Sequence, residues 1–290
     1  DMTELHGVIA ALCTPFDESG EQLDEAALRN HLDAMLEAGV HGIVLCAGTG
    51  EFAYLREAEK ARVAEIGIRH VDRRAAVVMQ TSAINTADAI ENSKRAEDLG
   101  ADAIMVLPPY FEGPDADGVL YHYERIAKAV NTPIVLYNIP QHSGFDITPE
   151  VYARLLAFDN IEYIKDSKAD LINLQKLVAT GGKVLSGADP LAPYGLMAGA
   201  AGWIWGAANA MPRETVALYD HLTAGRFAEA LELWARMAPA NHFFWDHVYN
   251  AAVKQATNDM GYPVGPCRKP ALPLSADDRA ELKSVLDLLR

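Results

Sequence analysis

Positive charge is in short supply. The chain carries 25 lysines and arginines against 40 aspartates and glutamates, a formal net charge of −15 over 290 residues. That balance excludes the basic footprint that nucleic acid or an anionic membrane surface requires. An anionic substrate must be held by local donors, because the overall field repels it. Cysteine is also sparse. Cys13, Cys46 and Cys267 show no metal-type spacing and no even pairing framework, so they read as small apolar side chains. No apolar run reaches the roughly 18 residues that span a bilayer. The first residues, DMTELHGVIAALCTPF, lack the basic region and long apolar core of a signal peptide, and a cytoplasmic protein is the default expectation.

What is present is a regular alternation. Half of the residues are hydrophobic and 22% are charged, which suits a globular protein with a sizeable core. Short apolar runs stand at 7–16, 41–48, 75–81, 103–109, 133–140, 161–167, 183–189 and 202–207. Each reads as a nearly continuous buried strand of a parallel sheet covered on both faces. Between them lie helical patterns such as DEAALRNHLDAMLEAG, closed by a glycine, and TADAIENSKRAEDLG, with Thr86 as N-cap and Gly100 as stop. Eight strand–helix units predict a (β/α)8 TIM barrel over residues 1–224. The competitor, a doubly wound open sheet, normally has a glycine-rich phosphate turn after its first strand. CTPFDESGEQLD is not one. From 225 to 290 the pattern changes to consecutive helices, RFAEALELWARMAP, NHFFWDHVYNAAVKQATNDMG and ADDRAELKSVLDLLR, which predict a C-terminal helical extension packed on the barrel.

The sixth run, IEYIKDS, ends on a lysine, a residue rarely buried without a reason. In a barrel the C-terminal strand ends form the active face, and parity sets Lys165 on the side of Ile161 and Tyr163. Desolvation there disfavours the ammonium form, leaving a neutral amine able to form a Schiff base with a carbonyl. The alternative is a side chain that snorkels into solvent or pairs with Asp166. The fifth run sets Tyr137 at the neighbouring strand end with the parity of Val135, where a phenol can act as general acid and base or simply pack. The turn after the second run, CAGTGEF, offers Gly48, Gly50 and the Thr49 hydroxyl as a cradle for a carboxylate, although glycines at strand ends usually just make turns. Trp203 and Trp205 share one face of the eighth run; facing inward they narrow a pocket, facing outward they pack beneath helices.

The ordered set TPF (14–16), GTGE (48–51), EAEKARV (57–63), GADAIMVLPPYF (100–111), YNIPQHSG (137–144), IKDS (164–167) and SGAD (186–189) resembles the dihydrodipicolinate synthase / N-acetylneuraminate lyase family of class I pyruvate-dependent aldolases across the whole chain. The resemblance implies that Lys165 is the Schiff-base lysine and Tyr137 the proton relay. It implies that Gly48 and Thr49 hold the carboxylate of an α-keto acid, that Ser167, Gly187 and Asp189 contact substrate, and that Tyr110 reaches a neighbouring active site. It further implies a homotetramer built as a dimer of dimers, and no cofactor beyond the covalent lysine imine.

Two departures matter. Dihydrodipicolinate synthases proper carry G-T-T-G-E and an arginine two residues after the proline of their Y-N-x-P motif; here Gly48 and His142 stand at those positions. A histidine cannot reproduce the bidentate carboxylate fork of arginine. His142 is a substrate ligand, a second acid–base group or a solvated loop residue. The expected activity is therefore a Schiff-base lyase that cleaves a 2-keto-3-deoxy acid to pyruvate and an aldehyde. Dehydration or deamination through the same imine is the nearest alternative, and 4-hydroxy-tetrahydrodipicolinate synthase activity a further one. A metal-dependent aldolase would need convergent His and carboxylate ligands, and of nine histidines only His142 is well set for that. A non-catalytic keto-acid sensor is the third class.

Overall fold

The computed structural model describes residues 4–290. In chain order the regular elements are β1 (Gly7–Ala11), α1 (Glu25–Ala38), β2 (Gly42–Leu45), α2 (Glu57–Val71), β3 (Ala76–Gln80), α3 (Thr86–Leu99), β4 (Ala103–Val106), α4 (Ala116–Ala129), β5 (Ile134–Asn138), α5 (Pro140–Ser143), α6 (Pro149–Leu155), β6 (Ile161–Asp166), α7 (Leu171–Val178), β7 (Lys183–Ser186), α8 (Ala192–Met197), β8 (Gly202–Trp205) and α9 (Pro212–Thr223). Three further helices follow: α10 (Phe227–Asp246), α11 (Tyr249–Asp259) and α12 (Ala276–Leu286). The strands pair in parallel in sequence order and β8 returns to β1, closing the (β/α)8 barrel. Strands β1 to β5 and β8 are buried at every residue. That two-sided burial is why they appear as continuous apolar runs rather than as alternating patterns.

The two faces of the sheet hold separate apolar clusters. Inside the barrel are Ile9, Val44, Val78, Met105, Val135, Tyr163, Leu185 and Ile204, each contributing about 1.5–3 kcal/mol on burial. Beneath the helices lie their sequence neighbours, Trp203 and Trp205 among them. The indoles pack edge to face with centroids 5.0 Å apart. Trp205 Nε1 donates to Asn241 Oδ1 at 3.0 Å and Trp203 Nε1 to the Ala192 carbonyl. The pair therefore faces the helices, and Ile204 between them faces the barrel interior.

Strand β6 breaks simple parity. Its pairing with β5 slips between Ile134 and Val135: Ile134 pairs with Ile161, but Val135 pairs with Tyr163. A bulge of this kind inserts one residue and turns the following side chains over. Ile161 consequently joins the cluster under the helices, while Tyr163 belongs to the interior. The expectation that Ile161 and Lys165 share a face fails at this point; Tyr163 and Lys165 do share one.

Helix ends follow local chemistry. Gly39 and Gly100 close α1 and α3 in the left-handed region, at φ 87° and 93°. At the start of α3, however, Asn85 rather than Thr86 is the cap, its side chain accepting from Asp88 N at 2.8 Å. Asparagine is among the strongest N-caps, and Thr86, one residue on, instead shares a hydrogen bond with His122 Nδ1 at 2.9 Å. Helix α10 runs straight through Pro239, where the sequence pattern suggested a boundary. Met237, Ala240, Asn241, Phe243 and Phe244 around it are all buried, and that packing offsets the amide lost at the proline.

One buried ion pair ties the C-terminal helices to the barrel mouth. Glu51 lies in the turn after β2 and Lys254 on α11; their charged atoms are 2.7 Å apart and both side chains are nearly inaccessible. Glu51 also accepts from Arg268 N, and Lys254 donates to the Pro266 carbonyl. Replacing Lys254 by methionine strands the Glu51 carboxylate. The expected loss is about 3–5 kcal/mol of stability, measured as a lower denaturant midpoint at unchanged m-value.

Candidate active site

The C-terminal ends of the strands surround a cavity of about 760 Å³, a size suited to a small-molecule ligand. Its floor consists of inward residues at the strand ends: Ala11, Gln80, Leu107, Tyr137, Lys165, Gly187 and Ile204. Lys165 is the only lysine in the lining, and no arginine is present among the described residues that form it.

Lys165 and Tyr137 are direct cross-strand partners on β6 and β5. Each is 5% exposed, and the amine lies over the phenol ring, 4.1 Å from its centroid. Asp166 does not pair with Lys165. It accepts instead from Asn138 Nδ2 at 3.0 Å. Lys165 is thus held by packing at the mouth and does not reach out into solvent.

Gly187 and Ser167 frame the lysine. Ser167 Oγ donates to the Gly187 carbonyl at 3.1 Å, and Gln141 Nε2 donates to the Ser167 carbonyl at 2.8 Å. A methyl group on Gly187 would stand 2.7 Å from Lys165 Cε and 2.2 Å from Ser167 Oγ. Gly187, expected to contact substrate, lines the cavity, and its missing side chain also keeps room for the lysine stem. Gly187→Ala is expected to displace the amine and cut kcat/KM by about 10²-fold, as misplacements near 1 Å do, with the melting temperature lowered by only a few degrees. Steady-state kinetics beside thermal unfolding checks both halves.

Thr49 and Gly48 line the cavity on the side of β2. A Cβ on Gly48 would meet only the Tyr137 hydroxyl, at 3.6 Å, so the missing side chain leaves open space beside that phenol. The Gly48 carbonyl accepts from Asn250 Nδ2 at 3.0 Å, so α11 braces this loop. His142, on α5, is exposed at the rim of the cavity. Tyr110, expected to reach a neighbouring active site, lies outside the lining of this cavity, and its ring meets that of Phe52, a lining residue, edge-on with 6.0 Å between centroids. Phe111 beside it is 67% exposed.

Asp189, 2% exposed, faces the same cavity as Lys165. Tyr249, the first residue of α11, donates its hydroxyl to Asp189 Oδ2 at 2.7 Å. Burial pushes the Asp189 carboxyl up to about 7, against the Tyr249 hydrogen bond and the charge of Lys165, which pull it down.

Two site residues escaped sequence reasoning. Gln80 ends β3 facing inward, 2% exposed, with neither side-chain amide atom partnered. Its signal was available: a polar residue closes the apolar run AAVVMQT just as Lys165 closes its own. Tyr249 carried no local signal, because only the return of α11 over the barrel brings it to Asp189.

A parallel barrel with a sheltered lysine beside a tyrosine at its C-terminal mouth defines a (β/α)8 enzyme of the class I aldolase kind. Comparison with known proteins gives the family. The model described as the dihydrodipicolinate synthetase family matches residues 4–289, and the chain belongs to that family, whose members are lyases that form a Schiff base with a lysine. The 4-hydroxy-tetrahydrodipicolinate synthase of Methanothrix thermoacetophila is 36% identical over 284 residues, covering 97% of this chain and 95% of that one. A putative dihydrodipicolinate synthetase from Pseudomonas aeruginosa superposes with a TM-score of 0.95 at 31% identity, over 99% of this chain and 100% of that one. A prophage protein of the dihydrodipicolinic acid synthase family from E. coli K12, solved in complex with pyruvate, gives a TM-score of 0.94 at 30% identity over 98% of each chain. Among the described residues no helix is long and apolar enough to cross a membrane.

Proposed function

We propose that the protein is a Schiff-base lyase that cleaves a 2-keto-3-deoxy acid into pyruvate and an aldehyde. The observation that carries this reading is the amine of Lys165, sheltered and stacked on the Tyr137 ring at 4.1 Å. Lys165 attacks the C2 carbonyl, and Tyr137 supplies and removes the protons that carbinolamine formation and loss of water demand. The resulting iminium draws electrons from the C3–C4 bond. Thr49 and the Gly48 turn hold the C1 carboxylate, with no arginine and no second lysine among the described residues of the lining.

Support for a hydroxylated chain comes from the rest of the cavity. Its volume of about 760 Å³ far exceeds a three-carbon acid. Gln80, with a free donor and a free acceptor, and Asp189 supply contacts for hydroxyls, as does Ser167. Polar groups built to pair with hydroxyls discriminate against substrates lacking them.

A second reading is 4-hydroxy-tetrahydrodipicolinate synthase activity, favoured by the names of relatives 31–36% identical to this chain. Against it stand the single hydroxyl of the G-T-G turn and the absence of arginine among the described residues of the lining. Elimination of water or ammonia through the same imine is the third outcome. One experiment separates the three. Incubation with a panel of 2-keto-3-deoxy acids releases pyruvate under the first reading and a dehydrated keto acid under the third. Condensation of pyruvate with aspartate semialdehyde at a rate above any cleavage would establish the second and remove the first. The tetramer belongs to the same proposal, and sedimentation analysis reads it directly.

A further inference from the structure

Away from the lysine, one group of ligand-type side chains converges from segments that no sequence spacing connects. His247 caps the C-terminal end of α10, and Asp278 and Glu281 stand three residues apart on one face of α12. His247 Nε2 lies 3.6 Å from Asp278 Oδ1 and 3.9 Å from Glu281 Oε2. One ligand atom from each of the three lies within 4.8 Å of the others.

The imidazole is set as a metal ligand. Its Nδ1 is 2.8 Å from the Phe243 carbonyl oxygen, which only accepts, so that nitrogen carries a proton and donates it. In the neutral ring Nε2 then offers its lone pair, the arrangement found in metal-bound histidines. The ring also stacks on Phe243, with centroids 3.7 Å apart and planes inclined by 17°, and this fixes its direction. The gaps from Nε2 to the two carboxylates are too long for direct hydrogen bonds. A zinc-type ion, bound tetrahedrally at about 2.0–2.2 Å, keeps its ligand atoms about 3.3–3.6 Å apart. Small side-chain rotations bring the three atoms to that spacing.

Charge points the same way. Two carboxylates converge here, and among the described residues neither has a lysine or arginine partner. Glu25, Glu59 and Glu65, by contrast, each meet an arginine. The helix dipole accounts for Asp277 and Asp278 in the first turn of α12. It does little for Glu281, one turn further on, which nonetheless turns toward His247. Ser275 Oγ already accepts from Asp278 N at 3.1 Å, so the Asp278 carboxylate has no capping duty.

We infer that His247, Asp278 and Glu281 form a binding site for a divalent transition-metal ion of the zinc kind, with water completing its shell. An imidazole beside two carboxylates favours such an ion over magnesium or calcium, which take oxygen ligands. The ion's duty is structural. It clasps α12 to the turn between α10 and α11, and that turn carries Val248, Tyr249 and Asn250 to the cavity mouth. Tyr249 bonds Asp189 and Asn250 bonds the Gly48 carbonyl, so the clasp steadies the mouth without entering the lysine chemistry. Ion binding is independent of the lyase reading, and occupancy rather than turnover tests it.

Tag-free full-length protein, stripped with a chelator and dialysed, is titrated with zinc chloride in a calorimeter. Wild type is expected to bind one equivalent, and the double variant Asp278→Asn/Glu281→Gln to bind at least about 100-fold more weakly. Both substitutions keep side-chain shape at the surface, so the variant should fold, and its metal-free melting temperature checks that. Zinc should raise the wild-type melting temperature by a few degrees and leave that of the double variant where it is. Wild type that takes up no zinc overturns the inference, as does a double variant that binds as tightly as wild type. A bound ion that leaves the wild-type melting temperature unchanged contradicts the clasp. Should the double variant fail to fold, His247→Gln takes its place under the same expectations.

Discussion

Lys165→Met is expected to lower kcat/KM by roughly 10⁵–10⁶-fold, the scale on which loss of a nucleophile abolishes covalent catalysis. Methionine matches the lysine stem in volume and rotamer freedom, so the packing around Tyr163, Tyr137 and Gly187 survives. The variant also removes an amine held 5% exposed with only an aromatic face against it. Burying such a group costs stability, and functional sites commonly carry that cost. Thermal unfolding should therefore show a melting temperature equal to or above wild type while turnover disappears. Substantial residual turnover, within about 100-fold of wild type, would show that the amine is not the nucleophile.

Tyr137→Phe comes next in size. The ring stays, and with it the contact 4.1 Å from the amine; only the hydroxyl beside Gly48 is lost. Because proton transfer is needed in the transition state and not for binding, kcat should fall by about 10²–10⁴-fold with KM changed by no more than a few-fold. The borohydride-trapped fraction at long times should match wild type, since a catalyst does not alter the imine equilibrium, but the approach to it should be slower. Stopped-time trapping against steady-state kinetics measures both. A kcat within a few-fold of wild type would assign the carbinolamine protons elsewhere, with the free space above Gly48 pointing to water.

Much of this molecule is legible in order of sequence, and the reasons are physical. All eight strands lie within the apolar runs, because a parallel sheet covered on both faces needs continuous hydrophobicity. Lys165 and Tyr137 stand out since each ends such a run against the trend, and their pairing across β5 and β6 follows from neighbouring strands. Parity arguments hold where the ladder is regular and break at the β6 bulge, where Ile161 crosses to the helix side. No residue type announced that slip.

Local capping was harder to assign. Asn85 and Thr86 are adjacent and chemically similar at an N-terminus, and the partner His122 on α4 decides between them. Pro239 suggested a helix end that the buried faces of α10 override. The relation between Tyr249 and Asp189 was out of reach, 60 residues apart and joined only by the way α11 folds back over the mouth. Gln80 was readable on the same ground as Lys165, a polar residue closing an apolar run at the cavity end of its strand. Tyr110 was legible only through resemblance, since the site it is expected to reach lies on a neighbouring protomer.

Whether Lys165 captures a ketone is most directly read by borohydride reduction of the protein in the presence of pyruvate, followed by peptide mapping. One reduced pyruvate per chain on the peptide spanning Lys165, lost in Lys165→Met, is the predicted result. An unmodified protein, or a label on any other lysine, would contradict the account at its root.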